Sequence, residues 1–289
     1  MKPLIQKLPL NEATSFVAKT FRTPHFEVGW HQHIEYELIL FTEGSGMSFI
    51  GNYVGEFETG DIYFLGSNLP HTFQKSGDQI TSAVVVQFRD DFWGHHFLEM
   101  PESRGLKQLL LASLQGLKIT GNSKSVLASH IKQLEHTKGF KRVLLLEECL
   151  YLLAESNEYS AVSTQGVTSL THKDKQCIDR VFQFTIDAFK DPVSLPEVAA
   201  VSCMSVPAFC RYFKRSTKKT YTQFLNEVRI GYACNLLQDT PKTVQDICYE
   251  SGYNSIANFH RQFFKIKGYT PLQYRKYFTS TNHISTNWE

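Results

Sequence analysis

The sequence predicts an α+β chain in two parts, a β-barrel with attached amphipathic helices and then an all-α carboxyl-terminal half. Three observations carry this. From Phe26 to Phe88 short β-branched and aromatic runs alternate with turn residues; after "DDFW" the apolar spacing changes from two to three or four; and late in the chain one helical pattern occurs twice. At 289 residues the chain also exceeds what a single core usually serves, so two units are expected.

The strand half reads in order as "ELILF" before "EGSG", "MSFI" before "GN", "YVGEFE" before "TGD", "IYFL" before "GSNLPH", and "ITSAVVVQF". Brief strands at such regular intervals make a barrel or sandwich. Residues 104–117, 124–137 and 140–156 carry apolar side chains at helical spacing without proline, and each reads as an amphipathic helix. Val126, Ile131 and Leu134 on the second, with Val143, Leu146, Leu150 and Leu153 on the third, suit an antiparallel pair. Periodicity leaves open whether this pair completes the barrel unit or forms a dimer seam centred on Leu146 and Leu150. Segment 159–172 is small, polar and aperiodic, and is the expected linker. The expected units are therefore 1–158, a helical unit 173–280 and a tail 281–289.

Composition excludes several classes. With 42% hydrophobic and 20% charged residues the chain has enough apolar surface for packed cores, and it lacks the tracts of a disordered protein. No run suits a secretory leader or a bilayer span, so a cytoplasmic protein without a membrane partner is expected. Cys149, Cys177, Cys203, Cys210, Cys234 and Cys248 lack paired spacing and read as reduced, buried thiols. The net charge of +2 hides an asymmetry: residues 1–172 hold 14 Lys+Arg against 18 Asp+Glu, whereas 173–289 hold 16 against 10. A polyanion would dock on the positive half.

Within that half Ser194 and Glu197 make a capping box for a short helix, and Ser205 is placed to cap another that has Pro207 in its first turn. The second helix has Phe209, Tyr212 and Phe213 on one side and Arg211, Lys214 and Arg215 on the other. This is a helix-turn-helix, whose second helix is the one suited to a groove. After a long helix from Tyr221 to Gln238 the arrangement recurs. Val244, Ile247 and Cys248 start it, Gly252 turns it, and Ser255 caps a helix with Phe259, Phe263 and Phe264 inside and His260, Arg261 and Lys265 outside.

The stretches "RIGYACNLL", "DICYESGYNSIANFHRQFFK" and "GYTPLQYRK" resemble the AraC/XylS family of bacterial transcription regulators across roughly residues 175–278. Two departures stand out. Lys218 replaces the glycine that usually ends the first recognition helix, and Cys248 replaces a common alanine. The resemblance implies that each recognition helix enters a major groove. It places the base-reading positions at Pro207, Cys210 and Arg211 in the first helix and at Ala257, His260 and Arg261 in the second. Of these the arginines can donate bidentately to guanine. Lys214, Arg215, Lys265, Ser205, Ser255 and Asn258 would hold phosphates and set register.

In "GWHQHIEYELILFTEG" a period of two puts His31, His33, Glu35 and Glu37 on one face of a strand. This resembles the paired cupin motifs, with His31, His33, Glu37 and Gly44 in the first and Gly60, Pro70 and His71 in the second. Three imidazoles and a carboxylate suffice for a divalent metal. They serve equally as an effector pocket or as a structural polar cluster, and we place those two readings ahead of the metal, with no cofactor required. Phe49, Tyr53, Phe57, Tyr63 and Phe73 are either pocket walls or core.

The resemblance implies a sequence-specific DNA-binding transcription regulator, not an enzyme. It would be effector-responsive and an activator, with a cupin-like sensor, promoter DNA, a small-molecule effector (sugars being a common family choice) and RNA polymerase as partners, acting as a homodimer. The alternative is a metal-dependent cupin enzyme with a basic helical appendage.

Overall fold

The computed structural model describes residues 4–5, 14–23, 29–77, 79–94, 96–164 and 172–282. Its amino-terminal half contains β1 (Leu4–Ile5), β2 (Val17–Arg22), β3 (His31–Gln32), β4 (Tyr36–Glu43), β5 (Gly46–Ile50), β6 (Tyr53–Phe57), β7 (Ile62–Leu65), β8 (His71–Lys75) and β9 (Ser82–Phe88). Then follow α1 (Arg104–Ser113), β10 (Leu117–Ile119), α2 (Ser123–Leu134), α3 (Phe140–Ser156) and β11 (Tyr159–Ala161). One sheet has the order β1-β3-β8-β5-β6 and the other β11-β10-β7-β4-β9-β2.

The space between the sheets is filled by rings. Phe41 stacks on Phe57 at 4.0 Å between centroids and meets Phe73 at 5.1 Å, and Tyr63 lies 5.5 Å from Phe73. Tyr63, Phe57 and Phe73 are therefore barrel core. All seven residues of β9 are buried because helices cover its outer face, which explains an unbroken "AVVV" in place of alternation. That cover consists of Leu127, Ile131, Leu134, Leu146 and Leu150, packed on Leu38, Leu40, Val84 and Val86.

Several expectations change here. Leu146 and Leu150 are 0% and 1% exposed, so they complete the barrel unit and cannot centre a dimer seam. The apolar side chains that α3 leaves exposed are Phe140, Leu144 and Tyr151. The helix expected to reach residue 117 stops at Ser113, and Leu117 begins a strand after Gly116 takes a positive φ. Residues 159–161, expected in the linker, pair with β10 as β11; residues 165–171 lie outside the described residues. The strand expected from His31 onward is two strands. A bend at Ile34 and Glu35 carries the chain from the five-stranded sheet into the six-stranded one.

The carboxyl-terminal half is helical: α4 (His172–Ala188), α5 (Leu195–Val201), α6 (Val206–Thr217), α7 (Tyr221–Asp239), α8 (Val244–Glu250), α9 (Ile256–Lys267) and α10 (Pro271–Asn282). The capping box of Ser194 and Glu197 forms as its spacing demands. Around α7 lie two cores, one with Phe182, Phe209, Phe213 and Phe224, the other with Ile247, Cys248, Phe259, Phe263 and Tyr274. Phe264, expected inside, is 57% exposed, while its neighbour Phe263 is buried. Cys203 and Cys210 are exposed, against the expectation of buried thiols; the other four are buried. Helices α6 and α9 end alike, on Lys218 at φ +62° and Gly268 at φ +73°. A side chain at this left-handed position costs about 1 kcal/mol. The expected tail begins inside α10, which extends to Asn282; residues 283–289 lie outside the described residues. Among the described residues no helix is long and apolar enough to cross a membrane.

The halves share a core. Trp30, Met47 and Phe49 of the barrel unit belong to the apolar cluster of Phe182, Phe209 and Phe213. The Trp30 ring meets Phe182 edge-on at 5.3 Å, and its indole N–H donates to Asp179 at 3.2 Å. The β5–β6 hairpin then reaches the carboxyl-terminal ends of both outer helices. The Asn52 amide donates to the Thr217 carbonyl at the end of α6 (2.7 Å) and to the Thr164 hydroxyl (2.6 Å), and the Lys219 ammonium donates to the Asn52 carbonyl (3.2 Å). Glu56 accepts from Lys267 at the end of α9 (2.8 Å) and from the Tyr274 hydroxyl of α10 (2.6 Å). Charge-assisted bonds in a mostly buried setting exceed the usual value of a surface ion pair. A double-mutant cycle of Glu56→Gln with Lys267→Met, read by urea unfolding, is expected to show a coupling of about 1–2 kcal/mol. Strict additivity would mean that this bridge does not hold the halves together.

Candidate nucleic-acid interface and histidine cluster

On α6 the amphipathic pattern turns Phe209, Tyr212 and Phe213 inward and leaves Pro207, Cys210, Arg211, Lys214 and Arg215 exposed. Ser205 occupies the cap position, but its side chain makes no cap hydrogen bond. On α9 Ser255, Ala257, Arg261 and Lys265 are exposed, while Asn258 and His260 are half-buried. Ser255 does cap, accepting from the Asn258 amide N–H at 3.4 Å. The Asn258 side chain, expected at a phosphate, accepts through its amide oxygen from Arg261 at 2.8 Å and so holds that guanidinium in place. Every side chain expected to meet DNA therefore lies on an outward or half-buried face of one of two helices, which α7 joins.

The two turns leading into these helices differ in their backbone chemistry. The first turn carries Cys203 at φ +55°, and the second carries Gly252 at φ +82°. A Cβ at Gly252 would lie 2.4 Å from the Phe189 carbonyl oxygen, so glycine is required there by contact as well as by conformation. Arg229 of α7 donates from Nε to that same carbonyl at 2.8 Å and from Nη2 to Asp191 at 2.9 Å. The connecting helix is thereby tied to the loop after α4.

The sheet register builds the histidine cluster. His31 of β3 lies directly across from His71 of β8, while Glu37 on β4 and Gln87 on β9 are paired in the opposite sheet. All four residues are buried, as are His33 and Glu35. His31, His33 and His71 each place Nδ1 within 3.0 Å of a carbonyl oxygen, that of Gly29, Glu35 and Leu69 respectively. A carbonyl can only accept, so each Nδ1 carries a proton; on neutral His31 and His71 this leaves Nε2 as the nitrogen with a lone pair, whereas His33 Nε2 faces the Glu37 carboxylate and donates as well. His33 Nε2 lies 3.0 Å from Glu37 Oε2, and the Gln87 amide donates to the same oxygen at 2.6 Å. His71 Nε2 is 3.7 Å from Glu37 Oε1 and has no hydrogen-bond partner.

Burial dominates the electrostatics of these groups. It lowers His31 and pushes His71 down to about 3, so both imidazoles are neutral. For His33 burial acts in the same sense, but the hydrogen bond and charge of Glu37 outweigh it and raise the group. Burial would raise Glu37, yet the His33 hydrogen bond and the surrounding imidazoles hold it down at about 2, which makes it an ionised carboxylate. Glu35 stays close to His33 at 3.6 Å and keeps one carboxylate oxygen unpartnered, but the bend moves it off the face it was expected to share. Sequence reasoning missed Gln87, whose one signal is a polar residue at the end of an apolar strand. It also missed Trp30, Asn52 and Glu56, whose roles depend on contacts made across more than a hundred residues.

His31, His33 and His71 each bring one ring nitrogen to within 4.8 Å of the other two. The donor set fits a divalent cation. His31 and His71 have their neutral tautomers fixed by carbonyl partners, His71 has an orphaned nitrogen, and an ionised carboxylate stands beside them, while His33 would give up its second proton to ligate.

Comparison with known proteins agrees with both halves. Residues 14–141 match the family model of the AraC-like ligand binding domain, and residues 198–277 match that of a helix-turn-helix domain. The HTH-type transcriptional regulator YdeC of Bacillus subtilis is 24% identical over 258 residues, covering 86% of this chain and 85% of its own. The HTH-type transcriptional activator RhaR of Mannheimia succiniciproducens is 23% identical over 256 residues, covering 86% and 87%. The crystal structure of ToxT from Vibrio cholerae is 16% identical, with a TM-score of 0.39 over 92% of this chain and 98% of that one. The alternative of a metal-dependent enzyme finds no support in these relatives, which are regulators. An AraC-like ligand-binding domain ahead of a helix-turn-helix domain, with the barrel and paired outward helices described above, makes this chain a DNA-binding transcriptional regulator of the AraC family.

Proposed function

We propose that the chain activates transcription in the cytoplasm by binding a promoter through α6 and α9 and recruiting RNA polymerase in response to a small molecule. The observation that supports this most is the pair of exposed arginines, Arg211 and Arg261, one on each outer helix. The half that carries them has the positive charge balance, and relatives of the chain are named as activators. A guanidinium donates two parallel hydrogen bonds to guanine, whereas Lys214, Arg215 and Lys265 serve as phosphate contacts without sequence preference. The Asn258 bond pre-orients Arg261, so α9 contributes more of the hydrogen-bonded readout than α6, where Pro207 and Cys210 offer apolar contact. Replacing Arg211 or Arg261 with alanine is expected to cost about 1–3 kcal/mol in binding and to relax specificity at one base position, whereas Lys214→Ala weakens all sequences alike. Mobility-shift titrations on the target and on a random duplex check this. Unchanged discrimination in both arginine variants would sink the assignment.

The histidine cluster is proposed as the sensor's divalent-cation site, held by His31, His33, His71 and Glu37, and this places the metal reading ahead of the order given by sequence alone. A bound cation would supply a positive charge and open coordination positions for effector oxygens. Neutral His31 and His71 are already in the ligating form, and an unpartnered buried nitrogen on His71 is otherwise a standing cost. Elemental analysis of protein purified without chelator is expected to find about one divalent metal per chain, lost in His71→Ala. Equal metal content in wild type and variant would refute the site.

Dimerisation is proposed through the exposed face of α3 rather than through the residues that fill the core. Phe140, Leu144 and Tyr151 form an unburied stripe on that helix. A symmetric pair of such helices would double the DNA contacts at neighbouring half-sites. In sedimentation velocity the combined Leu144→Glu and Tyr151→Glu variant is expected to run as a monomer while its circular dichroism stays unchanged. A persistent dimer would exclude α3.

A further inference from the structure

Two helices that read one duplex must hold one separation, because one base pair more or less between their sites shifts a groove by about 3.4 Å along the axis and turns it by about 35°. Within the helical half the two helix-turn-helix units are tied where the loop after α4 meets the turn before α9. Gly252 has no room for a Cβ beside the Phe189 carbonyl oxygen, and Arg229 donates to that carbonyl and to the one of Asp191. The apolar cores of the two units are distinct, and Tyr232 of α7 borders both. A tie at this one place fixes a point of contact but not the angle between α6 and α9.

The carboxyl-terminal ends of α6 and α9 are held by the sensor. Its β5–β6 hairpin lies against α7, where Gly231 leaves space for the Met47 side chain. Asn52, 1% exposed at the hairpin turn, is fixed within the sensor, its side-chain oxygen accepting from the Ser163 hydroxyl (2.7 Å) and the Thr164 amide N–H (3.0 Å). Its amide nitrogen is the group that donates to the Thr217 carbonyl, and Lys219, just past α6, donates both to the Asn52 carbonyl and to Glu227 of α7 (2.7 Å). Four residues on, Glu56 takes Lys267, the last residue of α9, and the Tyr274 hydroxyl of α10. At about 3.3 Å per residue the two holds lie about 13 Å apart along one arm of the hairpin. That arm is paired with β5 from Tyr53 to Phe57, and β5 is paired with β8, so the spacing is as stiff as the sheet.

We infer that Asn52 and Glu56 of the sensor set the separation of α6 and α9, and so make the chain selective for the spacing between its two base-contact segments. This rests on the reading of α6 and α9 as the helices that enter the grooves. Asn52 and Glu56 are positioning residues, acting through Thr217 and Lys267 and not on the bases themselves. With both holds in place, a segment moved by one base pair meets its helix out of register and its base contacts are lost. Released from the hairpin, the helices turn about the contact of Phe189 with Gly252 and follow the moved segment at small cost. The sensor thus selects among operators by their geometry, a form of discrimination that no base contact supplies.

The test uses the full-length chain and a duplex that it selects from a random-sequence pool, with two derivatives in which one base pair is inserted or removed midway between the two protected segments. Wild type is expected to bind each derivative about tenfold or more weakly than the original. Asn52→Ala and Glu56→Ala, checked for folding by circular dichroism, are expected to bind the original within about threefold of wild type while the penalty on the derivatives falls to about threefold or less. Lys267→Met cuts the Glu56 bond from the other side and is expected to behave as Glu56→Ala does. A full spacing penalty in the folded variants overturns the inference, as does a wild type that binds all three duplexes alike. Equal losses on all three duplexes reduce Asn52 and Glu56 to a structural role and overturn it too. Arg211→Ala and Arg261→Ala on the original duplex test the reading helices separately: if neither loses affinity, the assignment of α6 and α9 fails and takes this inference with it.

Discussion

The burial of Trp30 is the constraint on which the relation of the two halves rests. Its indole leaves the barrel unit and enters the core of the first helix-turn-helix, against Phe182 and with its N–H on Asp179. An aromatic side chain of this size accounts for several kilocalories of packing, about 3–5 kcal/mol when truncated to alanine. Once it is seated, Met47 and Phe49 follow onto the same surface, and the β5–β6 hairpin is brought within reach of α6 and α9. The sensor therefore touches the DNA-binding half through a continuous apolar core with hydrogen bonds at its edges, and the linker is only one of several connections.

Trp30 is also the immediate neighbour of His31. The imidazole is fixed by the Gly29 carbonyl, and the indole by Asp179 on the far side of the interface. A change in how the cluster holds His31 thus reaches the first helix-turn-helix through one peptide unit. A second route runs along β8, where His71 pairs across from Ile50, two residues before Asn52. Both routes are short and covalent or hydrogen-bonded throughout, so no long chain of packing shifts is needed to join ligand and helix.

Sequence made the helical half most legible, and for a physical reason. Caps, apolar spacing and turn glycines are local signals, and Ser194, Glu197 and Gly268 all act within a few residues of themselves. The strands "ELILF", "MSFI" and "IYFL" were legible for the same reason, whereas β10 and β11 are three residues each and owe their state to neighbours far along the chain. The cluster was found by residue type and spacing, but not its geometry. A period of two cannot reveal that the chain bends at Ile34 and Glu35 and changes sheet, which leaves Glu35 aside and brings Gln87 in. Likewise a helical stripe on α3 cannot say whether Leu146 faces its own barrel or a second subunit; only the register against β4 and β9 decides.

Asn52 has a consequence for how such proteins are inherited. The last turn of any helix leaves carbonyls without partners, and on α6 one of them, that of Thr217, is met by an amide from the other half of the chain. The two halves are therefore poor candidates for free recombination: a gene that joined this helical half to a foreign sensor would forfeit the terminator of α6 along with its regulator. Lineages that exchange sensors must either carry this hairpin across with them or supply their own stop at position 218.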